Sequence, residues 1–164
     1  MSFELAIEKH WDEITRKRQA IAECLSWSDT GRELARESEI FSSTPVMQAI
    51  MVALSDNNAA AKDQFKMAQY FAQALQGNPQ KNIDIYITYL TDLINKTKET
   101  DIKNAHYFMK ILGAVNGLKD NAAFVKYINA YSKFQNDQTA EAIVARQVMT
   151  IVTETMQKLM QGYL

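Results

Sequence analysis

From Thr139 to Gln161 the chain carries neither glycine nor proline, and the first break is Gly162. At about 100° per residue, Val144, Val148, Ile151, Val152, Leu159, Met149, Met156 and Met160 fall within one half of a helical wheel. Arg146, Gln147, Thr150, Thr153, Glu154, Gln157 and Gln161 lie opposite. An apolar face this wide, on a helix of about six to seven turns, needs more than one neighbour to cover it. The stretch therefore reads as a central strut onto which shorter helices pack, and it sets the fold class as all-α.

The rest of the chain is consistent with that. Five glycines and two prolines in 164 residues leave few turns with special backbone geometry, as expected for helices joined by short polar links. Apolar residues at 47% and charged residues at 23% exclude a disordered chain. The length suits one domain, so residues 1–164 are expected to form a single helical domain of about eight mostly antiparallel helices.

Ser2 is placed to cap a first helix, Phe3 to about Trp27, whose apolar stripe is Phe3, Ile7, Trp11, Ile14, Ile21 and Leu25. Arg18 interrupts that stripe at its centre. Asp29 or Thr30 is expected to cap a charged helix to Phe41, anchored only by Leu34, Ile40 and Phe41 and hence loosely held. Ser42-Ser43-Thr44-Pro45 is the clearest helix start in the chain. A short helix apolar on most sides follows to Leu54, and another runs to Gln76 and is stopped by Gly77.

Residues 83–89, Ile-Asp-Ile-Tyr-Ile-Thr-Tyr, alternate like a strand. Over four turns, however, Ile83, Tyr86, Ile87, Tyr89, Leu90, Leu93 and Ile94 share one helical face, and a lone strand would have no partner. The longer pattern predicts a helix from Lys81 to Lys98. Asp101 and Asp120 are expected to cap the two helices that follow, the second with Phe124, Tyr127, Ile128, Tyr131 and Phe134 on one face. Asp56-Asn57 and Asp120-Asn121 each open an Ala-rich helix, which makes two stacked hairpin pairs a second arrangement.

Few chemistries fit these residues. The formal charge is −1, and the first 39 residues carry nine acids against six bases, the remainder ten against twelve. No sustained positive field is available for phosphates, so nucleic acid is not an expected partner. No apolar run reaches the roughly 18 residues of a membrane span. Cys24 is the single cysteine and favours a reducing compartment, and the acid-rich N-terminus lacks a signal peptide's layout. The expected location is the cytoplasm, with secretion by a route without a signal peptide left open.

His10 and His106 are the only histidines, and Ile7 and Lys103 stand where a Glu-x-x-His metal pair would need acids. Cys24 lies 14 residues of helix from His10, ~21 Å, too far for a dyad. No phosphate loop, nucleophile elbow or pair of catalytic carboxylates is present. No cofactor, metal or catalytic residue is therefore expected.

What remains is binding. Arg18 amid apolar neighbours must snorkel, pair with an acid, or face a partner. Met149, Met156 and Met160 edge the apolar arc of the last helix, and flexible thioethers suit surfaces that accept varied partners. The reading is a non-enzymatic module that binds another protein or itself, of the adaptor, secretion-chaperone, immunity-protein or translocated-effector kind. Lys outnumbers Arg 13 to 5, which suits a bacterial origin. A helical carrier of small ligands or lipids using the tyrosine-rich faces, and a helical enzyme without a recognisable motif, are the alternatives.

Overall fold

The computed structural model describes residues 10–56 and 58–161, the side chains of residues 160 and 161 excepted. Among them are eight α-helices and no strand. They are α1 (Trp11–Leu25), α2 (Asp29–Ser42), α3 (Pro45–Leu54), α4 (Ala61–Ala74), α5 (Pro79–Thr97), α6 (Ile102–Asn116), α7 (Ala122–Asn136) and α8 (Ala140–Gln161), with a 3₁₀ turn at Gly117–Asp120. The fold is all-α, and residues 83–89 are helical, as the longer periodicity predicts.

Packing is nested: α4 pairs with α5, α3 with α6, α2 with α7 and α1 with α8. Each pair encloses the previous one in sequence. The tandem arrangement of stacked hairpins is therefore not adopted, since α7 packs mainly on α2 rather than on the helix that follows it. The described residues form two compact units, Thr44–Asn121 and a second built from residues 10–43 with 122–161.

In the first unit the starts at Thr44 and Asp101 follow the sequence, whereas α5 begins at Pro79, two residues before the expected Lys81. Thr44 accepts the Met47 amide with Pro45 at the first helical position, Asn78 accepts the Lys81 amide ahead of Pro79, and Asp101 accepts the Asn104 amide. Gly77 takes a φ of 70°, which a side chain would resist. α6 lies between α3 and α5 and buries Tyr107, Phe108, Ile111 and Val115. Two buried phenols tie helices together: Tyr107 donates to the Leu54 carbonyl at 2.9 Å and Tyr86 to the Met67 carbonyl at 3.0 Å. Buried Gln64 donates to the Asp56 and Ala59 carbonyls and so fixes the loop before α4.

In the second unit the cap of α2 is Ser28, not Asp29 or Thr30, because Ser28 is buried and its hydroxyl accepts the Gly31 amide at 3.0 Å. Thr30 donates instead to Asp137 at 2.6 Å. α2 is also better anchored than its composition suggests. Leu34 and Phe41 are buried, and the Phe41 ring lies 5.5 Å from Phe124 and 5.2 Å from Tyr127. Gly31 is buried where an added Cβ would overlap the Leu25 carbonyl, so only glycine lets α2 start this close to the end of α1.

α8 is the longest helix among the described residues, but as a strut it is one-sided, packing chiefly along α1. Its inward face also differs from the expected one. Val144 is 46% exposed and Ile151 64%, whereas Ala142 and Ala145 are fully buried. The two alanines join Cys24, Leu25, Leu34, Ala130 and Phe134 in one cluster, with Val148 and Met149 packed at its edge. Small side chains let the helices approach closely, so the contact centres on the alanines and turns the Val144 and Ile151 flank outward.

Candidate interaction surfaces

The described surface of the Thr44–Asn121 unit carries an aromatic groove between α4 and α5. It is built from Tyr70, Gln73 and Ala74 on α4 with Asn82, Ile85, Tyr86 and Tyr89 on α5, and encloses about 390 Å³. Tyr70 and Tyr89 meet edge to face with centroids 5.4 Å apart, a favoured aromatic geometry. The Lys66 ammonium sits 5.8 Å from the Tyr70 ring centroid. Tyr86 forms the floor; burial, then the neighbouring Tyr107 and Tyr89, raise its phenol pKa, so it stays protonated and bonded to Met67. Ile85 stands at the mouth, 56% exposed.

A second hollow of about 430 Å³ continues along the outer side of α5, sharing Ile85 and Tyr89 and adding Lys81, Asp84, Thr88 and Asp92. Both are open grooves. Asp84 and Asp92 are eight residues apart on one helix, about 12 Å along its axis. That separation is too wide for two carboxylates to act on one bond. The Lys119 ammonium approaches Asp84 at 4.0 Å, an exposed pair of little energetic weight.

The sequence-selected residues fall elsewhere. Arg18 is exposed on α1 and makes no ion pair among the described residues; the inward positions of that helix are Ile14, Cys24 and Leu25, with Ile21 beside them. It lies four residues after Ile14 and three before Ile21, on the same face of the helix, yet it is exposed, and Trp11, seven residues earlier, is likewise 52% exposed. Met149 is half-buried against the alanine cluster and Met156 is half-buried on the same flank of α8. The Met160 side chain lies outside the described residues.

Cys24 is buried, and burial, with the charge of Glu23 second, raises its thiol pKa, the opposite of an activated nucleophile. His106 is exposed on α6. The aromatic face of α7 is largely core: Phe124 and Phe134 are buried, and burial raises the Tyr127 phenol, with Tyr131 adding to the effect.

Sequence reasoning passed over Ile85, which sits among Asp84, Thr88 and Asp92 on the polar side of α5. That isolated isoleucine was the available signal, but Tyr70 reaches it only through the pairing of α4 with α5. One half-buried acid was also missed: Glu37 Oε2 is buried with no hydrogen-bond partner among the described residues, while its other oxygen lies 3.5 Å from Arg36. Compared with family models, curated proteins and solved structures, the chain has no match. No helix among the described residues is long and apolar enough to cross a membrane.

Proposed function

We propose that the protein is a non-enzymatic protein-binding module of the bacterial cytoplasm, in the class of adaptors, secretion chaperones, immunity proteins and translocated effectors. The observation that carries this reading is the open groove of α4 and α5, where exposed Ile85 is set beside Tyr70 and Tyr89. Tyrosines held on rigid helices offer large contact area at small entropic cost, and their hydroxyls tolerate the wet rim of an interface. A protruding apolar side chain of a partner helix fits against Ile85 and Tyr89, with Lys81, Asp84 and Asp92 as the polar border.

A carrier of small ligands needs a pocket that covers most of its cargo. The grooves here are open, which favours the binding module over the carrier. Nucleic acid is not the proposed partner, and no cofactor enters the reading.

The test is comparative capture from the native cell with three baits: the unaltered chain, Ile85→Lys, and Val125→Lys on the exposed side of α7. Val125 is 51% exposed, so both substitutions are expected to leave the fold intact. The expected result is a protein retained by the unaltered and Val125→Lys baits and lost with Ile85→Lys. Identical retention by all three would overturn the reading, and a small molecule co-purifying in native mass spectrometry would replace it with the carrier.

A further inference from the structure

The outward flank of α8 carries a seam of its own. Glu141, Val144, Val148, Ile151, Thr155 and Lys158 follow one another at alternating steps of three and four residues, the spacing that lines one side of a helix in a coiled coil. This seam borders the inward one, which runs through Ala142, Ala145 and Met149, and Val148 belongs to both, half-buried against the alanine cluster. Glu141 and Lys158 are exposed, Val144 and Ile151 are 46% and 64% exposed, and Val148 and Thr155 are half-buried. The structure thus leaves a β-branched apolar centre on the surface, with an acid at one end and a base at the other.

That order is self-complementary. When two copies of the helix are laid antiparallel about a two-fold axis between residues 149 and 150, each position meets the one that makes the sum of the numbers 299. Glu141 then faces Lys158 of the second copy at both ends, Val144 faces Thr155, and Val148 faces Ile151 on either side of the axis. Beside the seam Gln147 falls near Glu154 of the second copy, with no like charges opposed. A parallel pairing would instead set Glu141 against Glu141 and Lys158 against Lys158, and like charges in register are repulsive. We infer that this flank of α8 pairs with the same flank of a second copy, antiparallel and two-fold symmetric, making the protein a homodimer. An isologous contact of this kind uses one patch twice and closes on itself.

The inference concerns a different surface from the groove of α4 and α5 and stands or falls independently of it. Only one helix per copy contributes, so the interface is small and the dimer is expected to be reversible in the micromolar range.

The experiment is sedimentation equilibrium of the full chain across roughly 1–200 μM, a span that brackets such an affinity. The variants are Ile151→Glu, Glu141→Lys, Lys158→Glu and the double exchange of Glu141→Lys with Lys158→Glu. All three positions are on the outward flank of α8, and unchanged helicity by circular dichroism checks the fold of each variant. The unaltered chain should dimerise with increasing concentration. Ile151→Glu should weaken the dimer about 100-fold or more, since it puts two carboxylates beside the axis. Each single exchange creates two like-charge pairs and should weaken it roughly tenfold, and the double exchange should restore the original affinity. A chain monomeric over the whole range, as when another protein covers this flank, would overturn the inference. So would a dimer indifferent to Ile151→Glu, or one that the double exchange fails to restore.

Discussion

The two units solve the same packing problem with different balances of large and small side chains. The Thr44–Asn121 unit fills its interior with large side chains, among them Met67, Leu90, Tyr107 and Ile111, and ties helices together with phenol hydroxyls on backbone carbonyls. The unit formed by 10–43 and 122–161 brings α1, α2, α7 and α8 together over Ala130, Ala142, Ala145 and Gly31, with Phe134 as its largest fully buried group. Sequence distance differs as well. The Tyr86 bond spans 19 residues and the Tyr107 bond 53, whereas Thr30 reaches Asp137 across 107 and Lys133 reaches Glu33 across 100. Contacts between large side chains are specified by shape, and those at Ala142, Ala145 and Gly31 by how closely backbones approach. The first should therefore fail when emptied and the second when filled.

The largest effect expected on that basis is Leu90→Ala in the first unit. Leu90 is fully buried, so its truncation should cost about 2–5 kcal/mol in denaturant unfolding. In the second unit, Ala145→Leu forces three extra carbons into the contact of α8 with α1 and should cost about 1–3 kcal/mol. Gly31→Ala should fall in the same range, about 1–3 kcal/mol or above, because the Leu25 carbonyl it meets is backbone and cannot rotate away. If Ala145→Leu were neutral, the close-approach account of this unit would be wrong.

Smaller differences sharpen the contrast. Tyr107→Phe leaves the Leu54 carbonyl at the end of α3 without its donor and should cost about 1–2 kcal/mol. Tyr86→Phe should cost less, since the Met67 carbonyl lies inside α4 and keeps its helical bond. Equal losses would mean that helix-end carbonyls are not what these phenols satisfy.

The smallest effect is in acid. The Thr30 hydroxyl and then the Thr139 amide hold the Asp137 carboxyl below its usual range, and the Lys110 ammonium with the Asn58 amide does the same for Asp56. A carboxyl depressed in the folded state contributes stability above its unfolded value, near 3.8, and that contribution is lost as pH falls through the folded value. Stability should therefore decline below about pH 4, and Asp137→Asn or Asp56→Asn should each flatten that acid limb in a pH series of unfolding midpoints. An unchanged slope in both variants would remove these carboxyls from the account.

What the sequence made legible follows from local rules. The Thr44-Pro45 start, the Asp101 cap, the stop at Gly77 and the helical reading of 83–89 all depend on residues within a few positions of one another. The facing of α8 was not legible, because a helical wheel weighs large apolar side chains while the contact was decided by Ala142 and Ala145. Ser28 was passed over as a cap because its burial depends on tertiary packing. The groove was hidden for a similar reason: Tyr70 and Ile85 are ordinary surface residues until α4 is laid on α5.

Both the self-pairing flank and the small-residue core depend on which side of α8 faces inward. Paired unfolding curves of Met149→Ala and Ile151→Ala, taken at low protein concentration, test that directly. Met149 packs against the alanine cluster and should cost about 1–2 kcal/mol when truncated, while Ile151, 64% exposed, should stay within about 0.5 kcal/mol of the unaltered chain. A loss at Ile151 equal to or greater than that at Met149 would place the Val144 and Ile151 flank inside and contradict the account.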